Sequence, residues 1–466
     1  MQRKYKSNRL KFTFLFILFF LLLTINGYCR TVLESEAIAT SNLWFAMELN
    51  SGYLKIDESE RIEKLNRLSN HIVFYLISKD ELTDIFPHEK GILAYVIKYE
   101  PIGYVIVSGD DRIEPIIVFD TKSEFRWDQP ELNFLRYFLG KEVIERWENF
   151  NSNVHPNWEY LRSKLNEGQP LENVRFELPE RSVYILLETA LWSQSQYYND
   201  VVVANNGNTS GIPVGCTATA LGIKLQFHKW PLIGENSHSY NDIWGDICYN
   251  HFVNFSSQTY DWENMPVTSL TSTNLDVANL LYHCGVAVDM DYEIGASGAW
   301  PTANSFNTYF RYKGTEYIFS NHETPIITSI KGGLPVEICS STHALIVCGY
   351  RDTQSPYFYL NCGWNGSNNG WYNFDQIPGG DPTIDRSCPY GSPENYIYID
   401  NNWSGIEDGN IQTPFNSISE GESAIPTGGQ LWIKEGSYNG VGNVPITFDR
   451  AMTIKSYEGT VIIGNP

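Results

Sequence analysis

The residues Val214-Gly215-Cys216-Thr217-Ala218-Thr219-Ala220 carry the strongest chemical signal in the chain. Small residues follow the cysteine, then Leu221, Leu225 and His228 recur at helical spacing, and Pro231 stops the run. The pattern predicts a helix with Cys216 in its first turn. A thiol there faces unpaired backbone N–H groups and the positive end of the helix dipole, which favours thiolate. Gly215 leaves room for a carbonyl group to approach. The chemistry such a residue serves is nucleophilic attack, although most cysteines are inert core residues and the helix alone does not decide.

A cysteine nucleophile needs a base, and the base needs an orienting group. Six histidines follow Cys216: His228, His238, His251, His283, His322 and His343. His228 sits at the far end of the same predicted helix and cannot reach back to its first turn. His343 opens the apolar run 344–350, which reads as a buried strand. A histidine at the mouth of such a strand is well placed to act as a base. The next predicted strand, 357–361, would return alongside and bring Asn361 level with His343. On local pattern alone, Asn361 reads instead as a turn residue before Cys-Gly-Trp-Asn-Gly.

The elements that must position these residues fall into three segments. Residues 31–175 read as a small α+β unit with strands at 94–99, 103–108 and 115–119 and a helix from Pro130 to Trp147. Nothing in it looks catalytic; His71, His88 and His155 stand without evident partners. Residues 166–182 are polar, carry Pro170 and Pro179, and read as a linker open to proteolysis. Residues 183–395 hold the reactive-looking side chains. From about residue 396, short strands at 396–400, 430–434, 445–448, 452–455 and 460–464 alternate with Gly-rich turns without intervening helices. That spacing suggests parallel β-solenoid coils.

Composition narrows the function classes. The 466 residues carry 33 Lys+Arg against 54 Asp+Glu, a net charge of −21, which argues against nucleic acid as the main partner. Arg3, Lys4, Lys6, Arg9 and Lys11 precede an apolar run from Phe12 to Ile25, the pattern of a secretory signal peptide. The run is short of the ~20 residues that span a bilayer, so the expectation is export with no stable membrane span. Apart from Cys29, the seven cysteines (216, 248, 284, 339, 348, 362, 388) lie in the central segment, and an odd count points to a free thiol. With no C-x-x-C, H-E-x-x-H or G-x-x-x-x-G-K-[ST], no metal and no cofactor is expected.

Residues 183–380 resemble the streptopain family of secreted cysteine proteases. Gly215-Cys216-Thr-Ala-Thr-Ala…Phe227-His228-Lys-Trp-Pro231 is similar to its G-C-V-A-T-A…Y-H-x-x-P nucleophile helix. His343-Ala…Val347-Cys-Gly-Tyr350 resembles its H-A-x-V-I-x-G-[AY] strand, and Asn361-Cys-Gly-Trp364-Asn-Gly366 with Gly370-Trp-Tyr resembles N-W-G-W-G-G…G-[FWY]-[FY]. Gln194-Ser-Gln-Tyr-Tyr-Asn199 is similar to Q-x-x-P-Y-N, and Val286–Tyr292 to V-x-V-D-M-D-Y. Gly103–Arg112 looks like the family propeptide's G-F-V-I-V-S-G-D-D-R, and the segment after 396 looks like the opening of a pectin-lyase-like β-helix.

The resemblance implies an α+β fold. A papain-like protease domain (179–395) would follow a signal peptide (1–29) and an inhibitory prodomain (30–178) and precede a truncated right-handed parallel β-helix segment (396–466). It implies a secreted or cell-surface bacterial cysteine endopeptidase made as a zymogen, with protein or peptide substrates and its own prodomain as intramolecular inhibitor. Cys216 would be the nucleophile, His343 the general acid/base, Asn361 the orienting group and Gln194 an oxyanion donor. Four departures stand out, one being Asn-Gly-Ser-Asn-Asn at 365–369 where the family has a Gly-rich segment. Cys362 replaces the first Trp of N-W-G-W, leaving Trp364 to shield the His–Asn pair; Thr342 replaces a Gly; and Tyr197 stands at the Pro of Q-x-x-P-Y-N. The rival reading is a catalytically decayed surface protein whose solenoid tail binds carbohydrate.

Overall fold

The computed structural model describes residues 3–4, 31–77 (except 55), 92–127, 153–177, 182–300, 303–313, 323–339, 343–352, 356–373, 386–388 and 391–464. The expected signal peptide apart from residues 3–4, the helix expected at 130–147, His88 and His322 lie outside these residues. The chain divides into two compact units. One is residues 1–184 with 351–358 and 367–375; the other is 185–350 with 359–366 and 376–466.

The first unit is built on an antiparallel sheet in the order His71–Ile77, Ile92–Tyr99, Tyr104–Ser108, Ile116–Asp120, Gly370–Asn373. The middle strands, expected from their Val/Ile/Tyr runs, are buried at almost every residue. Sheets covered on both faces read as continuous apolar runs. The helix Glu34–Asn50 buries Leu43, Trp44, Phe45 and Met47 against this unit's core. Its Glu36 is held by Arg162 at 2.9 Å, and Arg162 also binds Asp111. His155 does have partners: its Nδ1 accepts from the Asn157 N–H to cap the helix Pro156–Glu167, and it lies 3.7 Å from Glu114. The His71 ring nitrogen likewise lies 3.0 Å from the Leu68 carbonyl.

Residues 166–177, the described part of the expected linker apart from 182, are less open than their composition implies. Asn50 donates to the carbonyls of Leu171 and Val174, both at 2.8 Å, and Phe176 packs edge-on to Trp44 with ring centroids 4.9 Å apart. Polar composition predicted a free linker. Three apolar side chains interspersed in it, Leu171, Val174 and Phe176, give the first unit something to hold.

In the second unit the helices Cys216–His228 and Leu275–Ala287 pack closely. A Cβ on Gly222 would lie 2.4 Å from Leu281 Cδ2. Beside them the strand Val336–Cys339 pairs antiparallel with Ala344–Arg351, every residue of which is buried. A hairpin, Ser237–Trp244 with Ile247–Asn254, adds a two-stranded ribbon that the sequence reading did not anticipate.

The C-terminal segment forms a parallel ladder, Tyr396–Ile399, Gln430–Tyr438 and Thr453–Ile463. Two expectations fail. Residues 445–448 form no strand, and 452–455 and 460–464 merge into one. A short helix, Ile418–Ala424, also intervenes, with Ser417 capping it through the Glu420 N–H. The ladder does not stand alone: Tyr396, Tyr398, Ile411 and Tyr457 share a core with Leu334, and Trp432 lies over Gly333.

Candidate active site

Cys216 is the first residue of its helix, and Gly215 precedes it with φ +95°. A side chain at 215 would meet Met290 Sδ at 2.6 Å. Both the left-handed backbone and Met290 therefore demand glycine there. The first turn is pinned from both sides: the Thr217 hydroxyl donates to the Ala299 carbonyl at 2.8 Å and the Thr219 hydroxyl to that of Gly215 at 3.0 Å.

The Cys216 thiol is partly buried, and burial pushes its pKa up from the ordinary cysteine value. The backbone N–H groups of Ala344, Thr217 and Cys216 itself oppose that shift. The thiolate expected from the helix terminus alone is thus outweighed by desolvation. Ala344, whose N–H bonds the sulfur, directly follows His343 in the chain.

His343 is buried, with Nε2 3.0 Å from the Cys362 carbonyl oxygen. A carbonyl only accepts, so Nε2 carries the proton in this bond. The Trp364 ring lies over the imidazole, with centroids 4.7 Å apart and planes at 32°. Asn361 is not the imidazole's partner. Its Nδ2 donates to Thr189 Oγ1 at 2.9 Å and the Ala190 carbonyl at 2.8 Å, and its Oδ1 accepts from the Gly363 N–H at 3.1 Å. The strands Ala344–Arg351 and Tyr357–Asn361 are neighbours in the sheet, and the carbonyl one residue beyond Asn361 meets the histidine. Asn361 fastens that turn, and the Asn365 N–H donating to the Trp192 carbonyl at 3.1 Å fastens its far side.

Gln194 is buried, and its side-chain Nε2 has no hydrogen-bond partner. Its own carbonyl accepts from the Val214 N–H at 2.8 Å, which ties it to the segment leading into the helix that starts at Cys216. A buried amide donor without an acceptor is costly, and is what an oxyanion arriving with a substrate would satisfy.

The other histidines are engaged elsewhere. A His228 ring nitrogen lies 2.6 Å from the Tyr312 hydroxyl, His238 lies 2.6 Å from Asp289, and His251 and His283 are buried against Tyr282 and Tyr260. Cys248, Cys284 and Cys348 are, with Cys216, free thiols. Among the described residues no three His, Cys, Asp or Glu side chains are grouped to hold a metal ion. Sequence reasoning missed Met290, Thr189 and Ala190. Only Met290 left a trace, inside the Val286–Tyr292 stretch.

Residues 192–372 match the Peptidase C10 family, and residues 31–141 match the Spi protease inhibitor family. Streptopain from Streptococcus pyogenes serotype M1 is 23% identical over 321 residues, spanning 62% of this chain and 75% of that protein. The thiol protease/hemagglutinin PrtT of Porphyromonas gingivalis is 22% identical over 311 residues, spanning 60% of this chain and 34% of that protein. Among solved structures, a fragment of Prevotella intermedia prointerpain A matches with a TM-score of 0.48 at 22% identity, covering 65% of this chain and 96% of the fragment.

Proposed function

We propose that this chain, a cysteine peptidase carrying an inhibitor-like segment ahead of its C10-family region, works through Cys216 as nucleophile and His343 as the proton-exchanging base. The observation that supports the assignment is the Ala344 N–H bonded to the Cys216 sulfur, Ala344 being the residue after His343. Because Nε2 of His343 is engaged by the Cys362 carbonyl, Nδ1 is the nitrogen that exchanges a proton with sulfur. The thiolate adds to the scissile carbonyl, forming the C–S bond. The resulting oxyanion takes hydrogen bonds from Gln194 Nε2 and the Cys216 N–H. His343 then gives its proton to the departing amine, and in the second half takes one from the water that releases the acyl group. Asn361 acts at one remove, by holding the turn that presents the Cys362 carbonyl.

The domain plan follows the same reading: signal peptide to residue 29, prodomain to about 178, a papain-like peptidase domain to 395. Export is supported by the basic start and the apolar run to Ile25, and among the described residues no helix is long and apolar enough to cross a membrane. The tail reads as the opening of a right-handed β-helix. Its support is the parallel register, in which Tyr396 pairs with Gln430 and Gln430 in turn with Thr453.

Self-maturation tests the assignment. The purified full-length chain is expected to shorten to a species starting after Glu177, because residues 171–176 are held down, while Cys216→Ala stays full length. A Cys216→Ala chain that matures equally fast with no other protease present would overturn self-processing.

A further inference from the structure

Arg351 ends the strand Ala344–Arg351 and is completely buried. Its Nη1 lies 2.8 Å from each carboxylate oxygen of Glu48, itself buried in the helix Glu34–Asn50, and donates a hydrogen bond to Oε2. Six rings surround the guanidinium, with centroids 5.2–6.0 Å from Cζ: Tyr53, Phe119, Phe176, Tyr184, Tyr357 and Trp371. A charge this deep is tolerated only with a partner, and removing one member strands the other.

The pair straddles the proposed cut. Glu48, Tyr53, Phe119 and Phe176 precede it; Arg351, Tyr184, Tyr357 and Trp371 follow it. The backbone does the same, since Gly370–Asn373 adds to the strand Ile116–Asp120 with Trp371 opposite Phe119. Tyr104 donates its hydroxyl to the Asn369 carbonyl at 2.8 Å, and a Cβ on Gly370 would lie 2.9 Å from the Phe119 carbonyl. Strand addition supplies generic backbone hydrogen bonds; selectivity needs side chains.

We infer that Arg351, with its aromatic surround and the neighbouring strand Gly370–Asn373, is the recognition face on the mature enzyme for its excised prodomain, and that Glu48 is the residue it selects. This rests on the zymogen reading above. The face fits a partner offering a desolvated carboxylate beside an edge strand, which the prodomain does. Maturation takes the counter-charge from Arg351, so the cut enzyme keeps affinity for the fragment that carries Glu48. Neither residue belongs to the catalytic machinery.

The test uses the full-length Cys216→Ala chain with a site for an added sequence-specific protease placed at 178–181. After cutting, the two fragments are followed by size-exclusion chromatography and by fragment dissociation constant, in parent, Glu48→Gln, Arg351→Met and the double variant. Parent fragments are expected to stay together. Each single variant should weaken retention by about 100-fold or more, the effect of an unpaired buried charge. The double variant should lose far less than the two singles combined. Melting of the uncut chains reports folding, and if either single variant fails to fold, Arg351→Lys decides, with retention expected between parent and Arg351→Met. Retention as tight as parent in the folded variants, or single effects that simply add, would overturn the inference. Cys216 is absent throughout, so failure here leaves the nucleophile assignment standing, and failure of self-maturation leaves these binding data standing.

Discussion

The imidazole of His343 is oriented by a backbone atom, the carbonyl oxygen of Cys362 at 3.0 Å, and roofed by the ring of Trp364 at 4.7 Å. The side chain of residue 362 is therefore incidental to the histidine, whereas the side chain of 364 is not. In the mature enzyme, Cys362→Ala should leave kcat/KM within about threefold, and Trp364→Ala should lower it by about 10- to 100-fold by opening the His343–carbonyl bond to water. Steady-state kinetics on a peptide substrate decides; equal and negligible losses from both would remove the shielding role.

Gln194 and Asn361 should separate by their kinetic signatures. Gln194→Ala removes the donor proposed for the oxyanion, so kcat should fall about 10²–10³-fold with KM little changed. Asn361→Ala loosens the turn that carries the Cys362 carbonyl, so it should also lower the melting temperature, which Gln194→Ala should not. If Asn361→Ala leaves both kcat and melting temperature at parental values, the turn does not depend on it.

Burial pushes His251 and His283 down to about 4. In the unfolded chain each titrates near 6.5, so between pH 6.5 and 4 the unfolded state binds protons that the folded state refuses. Stability is then full above pH 6.5 and lost on acidification, by about 2 kcal/mol per group between pH 7 and 5. Thermal melting across that range should show a falling midpoint, and His283→Gln should flatten the fall. A midpoint independent of pH from 7 to 5 would contradict these buried neutral imidazoles.

The C-terminal ladder shares a core with the peptidase region through Trp432 over Gly333 and the Tyr398 hydroxyl on the Gly332 carbonyl at 2.9 Å. Trp432→Ala should destabilise the whole second unit by about 3 kcal/mol, read as a single lowered denaturation transition. Two separate transitions would mean that the tail folds independently.

What the sequence disclosed follows the range of the interactions involved. The helix that starts at Cys216 was legible because small residues after Cys216 and a preceding glycine are local requirements, and the buried strand after His343 because its run of apolar residues is unbroken. The partners of Asn361 were not legible, since Thr189 and Ala190 reach it only across the fold. Arg351 is an ordinary strand-end arginine in the sequence, and nothing local ties it to Glu48 some 300 residues away. The 171–176 strap misled for the opposite reason: polar composition outweighed three well-spaced apolar side chains.

The central claim is that Cys216 is activated by His343, and covalent labelling tests it most directly. The matured protein, treated with an epoxide-type papain inhibitor and examined by intact mass and peptide mapping, should gain one adduct, on Cys216, and lose it in His343→Ala. Cys248 is an exposed free thiol and serves as the internal control for unselective alkylation. No adduct at Cys216, labelling that persists undiminished in His343→Ala, or labelling confined to Cys248 would contradict the account.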